Sequence, residues 1–438
     1  MANGGVMLGA ALETIKWLLL DQRKLIRNGF GQGKTFAVQL ILPNYGSRQE
    51  KPQPRFSSRR VAFFWHPDHF SEVHKCSPEV IDVSSAYSFL KPYFGDESVF
   101  VTSGSGHVTA KQAVYRTIRE HMTIETDDIL FFNYSVLERF RPGIYPALKP
   151  IQEVSAAFLL RTIFDVQGSE EAAATIEQAI AAAGNASGTF LLLPNIVRWT
   201  RRWGIGLDIR RKRLSLRRFV LKQLGGMLVA QNWFGETPED ARTEILDNLM
   251  TLLIAGFETT ATTISWLLYE LAANIDLQAD LRAEIQARIG GDPVGYFADD
   301  HSLLARCVQE ALRLHPSIPF IIREVCAPTN VGGVALVPHD YVVLSIEELH
   351  RRGFDGGDRF EPARFVSKAG QLKIATFGGG AKICPGRAVA VQQCRIIAAL
   401  LLSKYFIELT PRTKARVIRN RVSATPEGGM PLSFSRIH

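Results

Sequence analysis

Phe377-Gly378-Gly379-Gly380-Ala381-Lys382-Ile383-Cys384-Pro385-Gly386 ends a glycine-rich run on a cysteine and leads directly into an apolar stretch with helical character. Pro385 suits a first helical position, where its missing N–H is an orphan donor anyway, so Cys384 is expected as the N-cap. Its sulfur would then face the free N–H groups of Gly386 and Arg387 and the positive end of the helix dipole. Both favour a thiolate and lower the thiol pKa, which is how a chain presents sulfur to a metal. The three glycines would let backbone approach a flat ligand closely, and Phe377 would shield the sulfur from water. Read alone, the loop also fits a buried cysteine behind a glycine turn. Cys76, Cys307, Cys326 and Cys394 form no Cys-x-x-Cys pair, and the odd total of five points to a reducing compartment.

Upstream, Thr237 to about Ala273 reads as one helix, with Thr237 as cap, Pro238 at the first position and Glu239 and Asp240 in the first turn. Leu246, Leu249, Leu253, Phe257, Ile264, Leu267 and Leu271 keep helical spacing over a length of about 50 Å. Its middle is Ala255-Gly256-Phe257-Glu258-Thr259-Thr260. Gly256 costs about 1 kcal/mol there relative to alanine, so room is expected to be needed beside the backbone. Thr259 taken alone also reads as a threonine bonding back to the preceding turn. A second helix, Ser302 to Leu314, stops at Pro316 and carries Glu310 and Arg313 on one face. The same spacing recurs at Glu138 and Arg141, Glu239 and Arg242, Glu348 and Arg351, and Glu361 and Arg364. Its weight comes from lying between the long helix and the cysteine loop.

The spacing of Phe377, Gly380, Lys382, Cys384 and Gly386 resembles the haem-binding loop of the cytochrome P-450 superfamily, soluble bacterial type. The resemblance runs from about Val61 to Phe434, with residues 1–60 and the stretch from Val337 to Phe360 departing most. It implies a mainly α fold with a small β-rich region, a single catalytic domain over residues 1–438, and a long central helix across heme b (iron protoporphyrin IX). Cys384 is implied as the metal ligand, with Phe377, Gly378, Gly386 and Ala255 around the cofactor. Thr259 and Glu258 would serve oxygen activation, by a hydrogen bond above the iron and by proton relay. Glu310, Arg313 and Arg364 would form a buried structural triad. His107, Lys111 and Lys382 would hold one haem propionate and Arg323 the other. Lys382 and Lys111 stand where arginine is usual, which keeps the charge and loses the bidentate fork.

What the resemblance implies chemically is a haem-thiolate monooxygenase that uses O2 and two electrons from a separate ferredoxin or flavodoxin-type donor. Hydroxylation of a hydrophobic small molecule, with secondary metabolism as a setting, is the expected outcome. A peroxide-dependent oxidase, an isomerase or coupling enzyme, and a non-catalytic haem carrier or gas sensor stay open beside it. The pocket is expected to draw on Ser84 to Thr102, Ala255, Thr259, Phe320 to Ile322 and the turn around Met430. Lys382, Arg387, Arg395 and Lys111 are expected near the thiolate side, where an acidic donor could dock.

The 438 residues contain no proline- or serine-rich linker and no repeat. Strand-like runs occur near Val61 to Trp65 and Val331 to Val343. The apolar stretch Val6 to Leu20 contains Glu13 and Lys16, falls short of the ~20 residues of a spanning helix, and lacks a signal peptide's basic start and cleavage site. A cytoplasmic monomer without a transmembrane anchor is the expectation. Net charge is +8, with nine basic residues and one acid, Asp208, between Arg198 and Arg218. That segment, with Trp199 and Trp203, reads first as a solvated helix face and second as a surface for an acidic partner or membrane. Nucleic-acid binding has no motif. Gly29 to Thr35 imitates a phosphate loop but has Asn28 where glycine belongs, and proline between His66 and His69 breaks the register of a metal pair.

Overall fold

Two periodicities sort the chain, and each builds its own layer. The computed structural model describes residues 22–31, 33–44, 55–83, 86–87, 91–121, 124–164, 214–215, 217–218, 220, 239–367, 374–417 and 423–437. Among them lie ten strands: β1 (Thr35–Asn44), β2 (Arg55–Phe64), β3 (Ile81–Asp82), β4 (Gly143–Pro146), β5 (Phe320–Val325), β6 (Thr329–Val331), β7 (Val334–Leu336), β8 (Tyr341–Ser345), β9 (Tyr405–Leu409) and β10 (Pro431–Arg436). The main sheet has the order β1-β2-β8-β5-β3, with β2 parallel to β8 and β5 antiparallel to it.

Successive strand residues point to opposite faces, and the burial follows that rule. Val61, Phe63, Phe320, Ile322, Tyr341 and Val343 join one core, covered by Ile26 and Phe30 of the helix Gln22–Phe30. Ala62, Phe64, Val325, Val342 and Leu344 join another, covered by Phe70 and Val73 of the helix Pro67–Lys75. Strand β8 is therefore buried along its whole length. The expected strand Val61 to Trp65 covers the end of β2, which stops at Phe64 and pairs with β1 in the divergent N-terminal region. The expected run Val331 to Val343 is broken, because Gly332 and Gly333 at φ +56° and +81° turn β6 into β7 before β8 starts.

The helical layer is built on Glu239–Ala273, whose Leu249, Leu253, Phe257, Ile264, Leu267 and Leu271 are buried in the main core. It packs against Gly104–His121, Leu148–Phe164, Leu303–Leu314 and Arg387–Leu402. Thr237 and Pro238, expected to cap it, lie outside the described residues. Ser302 caps Leu303–Leu314 by accepting from the Ala305 N–H at 3.1 Å.

Gly95 sits at φ +94°, and a Cβ there would lie 1.8 Å from Asp247 Oδ2 on the central helix. Gly95→Ala is expected to cost roughly 1–3 kcal/mol, read as a lower denaturant midpoint at unchanged slope.

The Gly29 to Thr35 stretch runs from helix to strand, the reverse of the strand–loop–helix order a phosphate loop needs. Val6 to Leu20 lies outside the described residues, as does most of Arg198 to Arg218. Among the described residues no helix is long and apolar enough to cross a membrane.

Candidate functional site

A buried charged knot positions the cysteine loop. Arg313 donates from Nε and Nη2 to the two Glu310 oxygens at 2.7 and 2.8 Å, and Arg364 Nε reaches Glu310 at 3.3 Å. Both Glu310 and Arg313 are fully buried. The other guanidinium hydrogens go to the carbonyls of His350, Gly357 and Arg359 at 3.1, 2.7 and 2.9 Å, so all five donors of Arg313 are used. The knot thus joins Leu303–Leu314 to the segment leading into the loop. His350 carries the connection forward: Nδ1 donates to the Arg313 carbonyl at 2.9 Å, and Nε2 accepts from the Ala375 N–H at 2.9 Å. Thr376 Oγ1 adds a bond to the Leu312 carbonyl at 2.8 Å. The stretch Ser345 to His350, inside the divergent segment from Val337 to Phe360, is buried in this way. Its Glu347 and Glu348 bind Arg27, Arg351 and Arg352.

Burial, opposed by the bond to the Arg313 carbonyl, pushes His350 down to about 3 from an ordinary 6.5. The unfolded chain therefore takes up this proton first as pH falls. His350 stabilises the fold fully above pH 6.5, and that contribution drains away toward pH 3, by at most about 1.4 kcal/mol per pH unit. Urea midpoints measured stepwise over this window should fall more steeply for wild type than for His350→Gln.

The loop itself closes when the Cys384 N–H bonds the Phe377 carbonyl at 2.9 Å. Gly378 and Gly380 have φ of +71° and +62°, which explains two of the three glycines. A Cβ on Gly379 would lie 2.6 Å from His74 Nδ1, and one on Gly380 2.8 Å from the His74 carbonyl. Their close approach is therefore to the helix Pro67–Lys75, and Gly378 alone of the three lines the cavity.

Cys384 is not the N-cap. The helix runs Arg387–Leu402 with Gly386 as cap, because Pro385 and Gly386 form a turn first. The Gly386 N–H still donates to the Cys384 sulfur. Burial pushes the thiol up, and this outweighs the pull of Gly386 and Lys111 in the other direction. The expected lowering is not achieved by protein groups alone; a bound cation deprotonates such a thiol outright.

Above the sulfur lies a cavity of about 380 Å³ lined by Ala255, Gly256, Glu258 and Thr259 of the central helix and by Phe377, Gly378, Cys384 and Gly386 of the loop. A Cβ on Gly256 would meet Leu159 at 3.2 Å, so the room beside that glycine is filled by a neighbouring helix. Thr259 Oγ1 donates to the Ala255 carbonyl at 2.6 Å, which leaves its lone pairs as acceptors. Glu258 Oε1 accepts from Ser423 Oγ at 2.6 Å and Thr425 Oγ1 at 3.1 Å.

Basic residues gather at the cavity edge. His107, Arg323 and Lys382 line it, while Lys111 turns aside to donate to the Ala381 carbonyl at 2.6 Å. His107 Nε2 meets the same carbonyl at 3.1 Å, and Lys382 Nζ lies 3.0 Å from His107 Nδ1. Burial, with Arg323 beside it, pushes Lys382 down to about 8. Burial also lowers the Arg323 guanidinium, against the raising influence of Tyr87 and Asp82. Among the described residues no salt bridge gives Arg323, Lys382 or Lys111 a carboxylate. Buried cations beside a cavity with a thiol on its floor fit an anionic, metal-bearing, flat group such as haem. No cluster of three His, Cys, Asp or Glu offers a competing metal site among the described residues, and His66 instead caps the helix Pro67–Lys75.

Three further expectations fail for identifiable reasons. Met430 is buried in the main core and does not line the cavity. Arg395 cannot serve a docking surface, because it is buried against the Phe297 carbonyl at 2.9 Å and Asp300 at 2.5 Å. Ile322 faces the first sheet core, while Phe320 and Ile321 line the cavity. Of the expected 84–102 segment, Tyr87, Phe94, Val99 and Phe100 line it, and positions 84–85 and 88–90 lie outside the described residues. Ser423, Thr425 and Ser317 were not foreseen. They carry no local motif and reach the site only through the tertiary fold.

Residues 227–432 match the family profile Cytochrome P450. The rice cytochrome P-450 714C2 is 31% identical over 210 residues, which are 46% of this chain and 40% of that protein. The chain thus spans under half the length of the first curated relatives it matches. The Mycobacterium tuberculosis cytochrome P-450 138 is 25% identical over 419 residues, 91% of this chain and 88% of that one. In fold, the chain is similar to a Thermus thermophilus cytochrome P-450 at TM-score 0.69 and 20% identity, covering 94% and 95% of the two chains. A mutant haem domain of cytochrome P-450DA gives TM-score 0.73 at 19% identity, covering 97% and 94%. Profile, near full-length relative and fold meet on the same helix and loop, and residues 227–432 of this chain match the cytochrome P-450 family, whose members bind haem.

Proposed function

We propose that this protein is a haem-thiolate monooxygenase that hydroxylates a hydrophobic small molecule, using O2 and two electrons from a separate ferredoxin or flavodoxin-type donor. The observation that carries the reading is one cavity with the Cys384 sulfur and the Glu258–Thr259 pair both in its lining. Bound haem would supply oxygen activation, with Cys384 as its ligand, Lys382 and Arg323 placed to neutralise its carboxylates and His107 beside them. Thr259, its proton committed to the Ala255 carbonyl, presents an acceptor that can order a donor in the cavity. Glu258 is the carboxyl beside it that can hold or release a proton. Phe94, Phe100, Leu252, Ile318 and Phe320 supply an apolar wall that excludes water and favours an apolar substrate. Arg387 is exposed next to the loop and offers a cation to an acidic donor.

With a surrogate reductase, isotopically heavy O2 and a substrate found by its shift of the haem absorption, the product should gain one heavy oxygen atom. A product without added oxygen would point to isomerisation or coupling. Reduction by a ferredoxin should slow as salt rises, and a rate indifferent to ionic strength would count against a charged docking face.

A further inference from the structure

We propose that Ser423, with Thr425, is a positioning residue that holds the Glu258 carboxyl in its working orientation. This deepens the monooxygenase reading and rests on it.

The two hydroxyls converge on a single carboxylate oxygen, Glu258 Oε1, at 2.6 and 3.1 Å, and lie 2.6 Å from each other. Either can donate between them, so the two hydroxyl protons serve two of the three edges at a time and the triangle can rearrange. Ser423 lines the cavity together with Glu258. Ser423, Ala424 and Thr425 are 4%, 2% and 1% exposed, so water does not compete for these bonds. The residue between the hydroxyls fixes their place. The Ala424 N–H donates to the Ser317 carbonyl at 2.7 Å, and its carbonyl accepts from Trp266 Nε1 at 2.8 Å. Ser317 in turn donates from Oγ to the Thr259 carbonyl at 2.8 Å and meets Thr263 Oγ1 at 2.7 Å. The segment 423–425 is thus fastened to the same turn of the central helix that carries Glu258 and Thr259. A carboxyl on a flexible two-carbon stem has several rotamers, and two donors on one oxygen select among them. Proton delivery depends on that selection, because misplacement of a reacting group by about 1 Å can cost 10²-fold.

The test compares holoprotein of wild type, Ser423→Ala, Ser423→Thr, Thr425→Val and Glu258→Gln. Infrared spectra of the resting protein, with the Glu258 band assigned by difference against Glu258→Gln, should show that band shifted in Ser423→Ala and retained in Ser423→Thr. In turnover, product formed per NADPH consumed should fall roughly tenfold to a hundredfold in Ser423→Ala and recover in Ser423→Thr. Should Ser423→Ala not fold, Thr425→Val removes the second donor and should give the same shift in smaller measure. An unmoved Glu258 band in Ser423→Ala, or in Thr425→Val if that variant stands in, overturns the proposal. So does an unchanged product ratio. The infrared comparison does not depend on monooxygenase activity; a wild type without the thiolate–carbonyl spectrum defeats the functional reading while this bond is still read directly.

Discussion

Glu310→Ala should lower folding stability by about 3–5 kcal/mol, a large loss for the truncation of one polar side chain. Removing the carboxylate leaves Arg313 fully buried with its charge uncompensated, since its remaining partners are carbonyls. Arg364 loses the same oxygen, and the Glu361 N–H, which donates to Glu310 at 2.8 Å, is orphaned as well. The damage should spread to the haem site, because Arg313 also anchors His350 and, through it, Ala375 at the entrance of the cysteine loop. Glu361→Ala is the control. It has the same Glu-x-x-Arg spacing and a 2.7 Å bridge to Arg364, but it is 37% exposed, so about 1 kcal/mol or less is expected. Urea unfolding of both variants and haem content after purification check the contrast. Equal losses would mean that the buried knot is not what sets the stability of this region.

Thr259→Ala should reduce product formation about 10²-fold while NADPH consumption persists, since electron entry does not require the hydroxyl. The hydroxyl lines the cavity on the same helical turn as Glu258, and its proton is held by the Ala255 carbonyl. Alanine removes the acceptor and preserves helix propensity, so the fold should be unaffected. Thr259→Ser keeps the hydroxyl and should retain most activity. If hydrogen peroxide alone supported turnover at equal rates in wild type and Thr259→Ala, the chemistry would bypass this pair and the peroxide-dependent reading would replace the O2-dependent one.

The parts legible in sequence are those whose physics is local. Cys384 with its glycines, the long apolar helix around Glu258 and Thr259, and the Glu310–Arg313 spacing each announce themselves within a few turns of chain. Where local rules compete, the reading slipped by a residue or two. Pro385 can begin a helix or a turn, and the bond from the Cys384 N–H to Phe377 selects the turn. Gly379 and Gly380 were assigned to a ligand, yet the demand on them comes from His74, some 300 residues earlier in the chain. Arg395 looked like a surface cation because charge is the default sign of exposure, and its burial depends on Phe297 and Asp300 from another helix end. Ser423 and Thr425 carry no pattern at all. The bonds of Ala424 to Ser317 and Trp266, distant in sequence, bring them to Glu258.

The most direct test of the central claim, that Cys384 is the thiolate ligand of a bound haem, is the carbon-monoxide difference spectrum of the reduced protein, wild type against Cys384→Ser. Wild type should give the long-wavelength Soret band of a thiolate-ligated carbonyl complex, and Cys384→Ser should lose it. A wild-type protein that is colourless when iron-replete, or whose carbonyl band is that of a nitrogen-ligated haem and survives in Cys384→Ser, would contradict the account.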